Sequence, residues 1–161
     1  TTIVARADDL TPAINQARRY SARVMLQQYI NGRELTCGVL EIGKKCVALP
    51  LIEIRPRKSG FFDYQEKYSK NGAEEIVPAP LPPRLTKRIQ RMAVAAHRAV
   101  GCRGYSRTDF ILAPDNKCYV LEINTLPGLT ATSLVPKAAQ AAGIPFSKLL
   151  DIIIDNGLRN N

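Results

Sequence analysis

Gly104-Tyr105-Ser106-Arg107-Thr108-Asp109-Phe110-Ile111-Leu112 and Tyr119-Val120-Leu121-Glu122-Ile123-Asn124 are two alternating segments, and the Pro114-Asp115-Asn116-Lys117 between them is turn-forming. A two-residue loop at Asp115-Asn116 sets Asp109 opposite Glu122 and Arg107 opposite Asn124. Side chains alternate along a strand, so all four then project from one face. Two carboxylates placed directly opposite each other repel and weaken a plain sheet. A divalent cation between them reverses that sign. Asp, Glu and Asn oxygens are the donors that a hard cation such as Mg²⁺ takes, usually together with substrate phosphates. Arg107 beside them suits an anion clamp. The alternative is a solvated polar face on an ordinary hairpin.

The second segment runs on as Thr125-Leu126-Pro127-Gly128-Leu129-Thr130-Ala131-Thr132-Ser133-Leu134-Val135-Pro136. A polar strand end enters a Pro-Gly turn rich in hydroxyls, and a helix follows with Thr132 or Ser133 as its natural N-cap. Free N–H groups and hydroxyls at a helix N-terminus suit a carboxylate or a phosphate. Residues 120–136 resemble the C-terminal signature of D-alanine–D-alanine ligases, members of the ATP-grasp superfamily. Gly-Tyr-Ser-Arg-Thr-Asp at 104–109 resembles the strand that precedes that signature.

Working outward, Ala7-Asp8-Asp9-Leu10 opens a helix with acidic residues in its first turn. Arg23 to Ile30 reads as a buried strand. Glu34–Ile42 and Cys46–Ile54 read as a hairpin around Gly43-Lys44. Arg55 to Lys70 is a long loop rich in aromatic and charged residues, and Glu74 to Val77 is a short strand. Pro82-Pro83 starts a helix that runs to about Val100. Leu85, Ile89, Met92, Ala93, Ala96 and Val100 form its apolar stripe, with His97 at the edge of the stripe as a boundary or surface residue. Ser133–Ala142 and Ser147–Leu158 are the last helices, the latter packing Leu149, Leu150, Ile153 and Ile154 on the sheet. Antiparallel hairpins with helices between them define an α+β fold.

Size and composition set wide bounds. The chain has 161 residues and 45% hydrophobic residues, enough for a packed core. No apolar run approaches the length of a membrane span. The four cysteines, Cys37, Cys46, Cys102 and Cys118, are scattered without metal-ligand spacing, and with a single histidine in the chain a Cys/His zinc site is not expected; they read as reduced thiols of a cytoplasmic protein. The net charge is +9. Basic clusters occur, but without interleaved aromatics for stacking bases, so no nucleic-acid or membrane partner is expected. A basic binding module without chemistry is the alternative from another class.

The resemblance implies more. The expected fold is the ATP-grasp C-terminal lobe, a mainly antiparallel sheet flanked by helices, over 34–161. Residues 1–33 are expected to be a remnant of the central lobe, a helix plus a strand. Gln27-Gln28-Tyr29-Ile30-Asn31-Gly32-Arg33-Glu34 resembles the linker between the lobes. There Gln27, Gln28 and Ile30 would meet the adenine edge, and Glu34 the ribose. The family usually has glutamate at the Gln27 position, so the adenine geometry differs here. Phe61-Phe62-Asp63-Tyr64-Gln65-Glu66-Lys67-Tyr68-Ser69 matches a family run in which Phe61 packs on adenine, Lys67 contacts phosphate and Tyr68 closes the substrate pocket. A tyrosine at that place accompanies D-alanine as the second substrate. Leu121 would line the adenine pocket. Asp109, Glu122 and Asn124 resemble ligands of two Mg²⁺ or Mn²⁺ ions. Arg107 and the backbone of Gly128 resemble oxyanion-stabilising groups. Ser133 and Leu134 resemble the site for the second D-alanine's carboxylate. The implied activity is ATP-dependent joining of two D-alanines through an acyl phosphate for peptidoglycan, with D-lactate or D-serine as alternative acceptors. A cytoplasmic homodimer is implied for the parent enzyme. The resemblance covers the whole chain but about the second half of the family's enzyme. Its phosphate loop is expected before Thr1, and the isolated chain is therefore expected to be inactive.

Overall fold

The computed structural model describes residues 1–56 and 73–159. Among the described residues six strands form one antiparallel sheet: β1 (Arg33–Ile42), β2 (Lys45–Ala48), β3 (Ile52–Arg55), β4 (Glu74–Ile76), β5 (Tyr105–Leu112) and β6 (Cys118–Asn124). The order across the sheet is β4-β3-β1-β5-β6, with β2 continuing on the β3 side of β1. Residues 35–40 of the central strand are buried without interruption, as expected of a strand covered on both faces. Leu35, Cys37 and Val39 point one way and, with Phe110 and Leu112 of β5, pack on Ile89 and Ala93 of α2 (Pro83–Ala99). Leu40, Leu49, Ile52 and Tyr105 face the other way. They pack on Val135, Ala138 and Ala139 of α3 (Leu134–Ala141) and on Leu149 of α4 (Phe146–Arg159).

The expected strand Cys46–Ile54 is in fact two strands. Val39 pairs with Ala48 but Thr36 pairs with Ile52, so one extra residue is taken up between β2 and β3. Pro50 lies in that interruption, where it has no N–H to give to the ladder. The Leu49 N–H just before it still donates to the Gly38 carbonyl at 2.8 Å.

The β5–β6 hairpin differs from the expected two-residue loop. Leu112 pairs with Cys118, the Ala113 N–H donates to the Lys117 carbonyl, and Asn116 takes a φ of +62°. The loop is therefore three residues, 114–116, with its last residue left-handed. A bulge then follows. Phe110 pairs with Val120 and Asp109 with Glu122, which leaves Leu121 without a partner across the ladder. The longer loop and the bulge offset each other, so Asp109 still faces Glu122 and Arg107 still faces Asn124.

Other corrections concern partners. Arg23 to Ile30 is neither a strand nor buried. A strand exists only where a neighbour takes its hydrogen bonds, and no described strand runs beside this one. The expected helix forms as a 3₁₀ turn Ala7–Asp9 leading into α1 (Leu10–Arg18), with no buried residue in either. His97 is wholly buried rather than at the edge of its helix, while Val100 is exposed. On α4, Ile154 is exposed and Ile152 packs on the core in its place.

Candidate active site on the β1–β5–β6 face

The polar face is assembled from three strands. Thr36 on β1 pairs with Asp109 on β5, which pairs with Glu122 on β6. One step along, Gly38, Arg107 and Asn124 form the next row. The helices α3 and α4 cover the Leu40–Tyr105 end of this face, and beyond it Arg107 and Asp109 are partly exposed and Glu122 is exposed among the described residues.

Asp109 is held by three hydrogen bonds. Arg107 donates from Nε to Oδ1 at 2.9 Å and from Nη2 to Oδ2 at 2.8 Å. The Thr36 hydroxyl donates to Oδ1 at 2.6 Å. A carboxylate has about four acceptor positions, so these fix its orientation and leave capacity on Oδ2. Thr36 was not singled out from the sequence. Its signal is weak but real: polar Glu34 and Thr36 alternate with apolar Leu35 and Cys37, which puts the Thr36 hydroxyl on the face that carries Glu34. What the sequence cannot show is that β1, rather than another strand, lies beside β5. Asn124 Oδ1 accepts the Leu126 N–H at 3.0 Å, which starts the turn that follows β6.

That turn places the next group. A β-carbon on Gly128 would sit 2.9 Å from Ser133 Oγ, so the backbone at 128 comes directly against the start of α3. Ser133 is the N-cap, yet its hydroxyl does not cap its own helix. It accepts the Thr130 N–H at 3.1 Å and lies 2.7 Å from the Thr130 hydroxyl. Gly128, Thr130 and Ser133 thus form one cradle. Leu134 is half-buried against the α3–α4 core.

The remaining expected residues fall as follows. Glu34 is half-buried near the start of β1, on the Thr36 face and opposite Ile54 and Ile111. Leu121, the bulged residue, is exposed. Gln27 and Gln28 are exposed and Ile30 is half-buried, in an extended segment outside the sheet. Phe61, Lys67 and Tyr68 lie outside the described residues, as does the expected loop from residue 57 onward.

The profile of the family described as "D-ala D-ala ligase C-terminus" matches residues 1–155. The chain belongs to the D-alanine–D-alanine ligase family. It is 47% identical over 154 residues to the D-alanine–D-alanine ligase of Desulfovibrio desulfuricans, an alignment covering 96% of this chain and 48% of that protein. Among solved structures it superposes on the D-alanine–D-alanine ligase of Bacillus anthracis with a TM-score of 0.81 at 40% identity, covering 98% of this chain and 50% of that one. The same enzyme complexed with ATP gives 0.79 at 37% identity, over 97% and 48%. The VanG D-Ala:D-Ser ligase of Enterococcus faecalis gives 0.80 at 36% identity, over 93% and 43%. The chain spans about half the length of the curated relatives it matches. The α+β fold and the family expected from 104–136 are both borne out.

Proposed function

We propose that this chain supplies the C-terminal half of the active site of an ATP-dependent ligase that joins two D-alanines. The observation that carries the reading is the row Thr36–Asp109–Glu122, flanked by Arg107 and Asn124, on one face of the sheet. Asp109, Glu122 and Asn124 offer only hard oxygen donors, which fits Mg²⁺ or Mn²⁺, and two carboxylates with an amide have the capacity to hold two ions. Such ions supply charge neutralisation for phosphate oxygens.

The chain's own residues do the rest. The Arg107 guanidinium now balances Asp109, and it is the side chain placed to follow negative charge developing on a substrate oxygen. Thr36 keeps the Asp109 carboxylate aligned if Arg107 turns away. The close approach of Gly128 to Ser133, with the Thr130 hydroxyl, offers polar groups to a substrate carboxylate. In the reaction, a D-alanine carboxylate oxygen attacks the γ-phosphorus of ATP and expels ADP. The amine of the second D-alanine then attacks the acyl carbon and expels phosphate. No protein nucleophile takes part, so positioning and fixed charge account for the catalysis. Gln27, Gln28, Ile30, Glu34, Phe61 and Leu121 are assigned to the nucleotide, Lys67 to its phosphates, Tyr68 to closure over the acceptor, and Ser133 and Leu134 to the acceptor's carboxylate. Residues 1–33 belong in this reading to the central lobe and 34–161 to the C-terminal lobe of a cytoplasmic homodimer.

The test is phosphate release by the protein that carries this chain, with ATP, Mg²⁺ and D-alanine, D-serine or D-lactate as acceptor. Release with D-alanine that drops at least about 100-fold in Glu122→Gln is expected. Release only with another acceptor moves the substrate. No release with any acceptor refutes the ligase. The 161-residue chain alone is expected to give none.

A further inference from the structure

The α2 face of the sheet carries a second cluster of donor atoms that the ligase reading leaves unused. His97 is 0% exposed, and its Nε2 has no hydrogen-bond partner among the described residues. A buried ring nitrogen in that state is costly and calls for an explanation. Its other nitrogen, Nδ1, lies 2.7 Å from Ser106 Oγ. With Nδ1–H donating to that oxygen, the Nε2 lone pair faces Glu41 Oε1 at 3.5 Å. The Cys46 Sγ lies 3.9 Å from the same oxygen. The three donor atoms are all within 4.8 Å of one another.

The Cys46 thiol donates a long hydrogen bond to Glu41 Oε1, which leaves the Nε2 lone pair as the unmatched member of the cluster, and a cation in place of the thiol proton would satisfy all three atoms. A tetrahedral ion with bonds of about 2.0–2.3 Å spaces such ligands about 3.3–3.6 Å apart, so a contraction of a few tenths of an ångström closes the Glu41 distances. We propose that Glu41, Cys46 and His97 bind a zinc-class divalent cation, with the fourth position left to water. Imidazole and thiolate together select zinc or cobalt over magnesium, which sets this site apart from the all-oxygen set around Asp109.

The surrounding contacts are those that orient metal ligands. Ser106 holds the imidazole from behind. The Gly104 N–H donates to Glu41 Oε2 at 2.7 Å and leaves Oε1 directed at the cluster. Cys46 is half-buried on β2 and also lines a groove of about 630 Å³ against α2, which gives an ion a way in. Arg84, Lys87, Arg91 and Arg98 line that groove. Their charge opposes a free cation, and the ion is drawn in by the Glu41 carboxylate and by a thiol that releases its proton on binding the metal. Bound there, it would join β1, β2 and the last turn of α2. The site lies on the opposite face of the sheet from Asp109 and does not depend on the ligase reading.

The experiment is titration of the metal-free protein with Co²⁺, followed by displacement with Zn²⁺. One ion per chain and a thiolate-to-cobalt charge-transfer absorption are expected. Cys46→Ser removes that absorption and weakens Zn²⁺ binding at least about tenfold. Glu41→Gln weakens binding while keeping the absorption, and Cys118→Ser changes neither. Circular dichroism confirms that the variants stay folded; the half-buried Cys46 position tolerates serine where the fully buried His97 would not tolerate a large change. No charge-transfer absorption in the unaltered protein, or one that survives Cys46→Ser, overturns the proposal.

Discussion

Asp109 and Glu53 are two carboxylates held by arginine, with different consequences. Asp109 meets Arg107 and Thr36 on the polar face. Glu53 is buried on β3 between Arg33 at 2.7 Å and Arg55 at 2.8 Å. The hydrogen bond from Arg33, and then that from Arg55, hold its carboxyl down from 4.5 to about 2, although burial works the other way. A folded-state value below the unfolded one stabilises the fold fully above about pH 4.5, and that stabilisation is lost as pH falls through about 2. Because both arginines are partly exposed, the loss is of the order of 1–2 kcal/mol. Denaturant titrations across that window should show the loss, and Glu53→Gln should flatten it. Cys37 illustrates burial without a partner charge: its thiol is pushed up to about 12. A thiol-reactive probe should therefore label the half-buried Cys102 in the native protein and reach Cys37 only on unfolding.

Elements here are set by what they pack against as much as by their own periodicity. The stripe Ile89–Ala93–His97 shows this, because a helical count assigns position 97 to the inner face but the histidine's polarity argues for the edge. The inner position holds, since Nδ1 finds Ser106 on β5 at 2.7 Å. The start of β1 is as tightly set. A β-carbon on Gly32 would lie 2.5 Å from the Leu112 carbonyl oxygen and 2.6 Å from Ile111 Cγ2. The first neighbour is backbone, which cannot step aside cheaply. Gly32→Ala should lower stability by roughly 1–3 kcal/mol, read as a shift in the midpoint of chemical denaturation. An unchanged midpoint would show that the backbone at 32 and the end of β5 separate more easily than their packing suggests.

At the scale of the whole molecule the chain divides unevenly. Residues 34–159 contain both hydrophobic clusters, one on each face of the sheet. None of residues 1–33 is buried, and Leu10, Tyr20, Met25, Leu26 and Tyr29 are exposed. Surface of that kind suits burial against another part of a larger protein. Removing residues 1–30 should therefore leave the unfolding free energy within about 0.5 kcal/mol. A loss of several kcal/mol would mean that the segment packs on the sheet in solution. The same division explains why Gln27, Gln28 and Ile30 stand outside the sheet while Asp109, Glu122 and Asn124 are already in register.

Local chemistry made much of this legible. Alternation at 104–112 and 119–124, the turn residues between them and the Pro-Gly turn before Ser133 were enough for the hairpin, the helix start and the family. These signals are short-range, and backbone sterics and side-chain periodicity decide them wherever they occur. Tertiary structure decided the rest. The loop is one residue longer than its turn residues suggested, and the site's register survives because a bulge at Leu121 compensates. Thr36 reaches Asp109 only because β1 lies beside β5, a pairing between residues far apart in the chain. His97 is buried because Ser106 on β5 meets its Nδ1 there, and Arg23 to Ile30 stays out of the sheet because no described strand takes its hydrogen bonds. Burial and pairing depend on which surfaces meet, and a linear pattern does not carry that information.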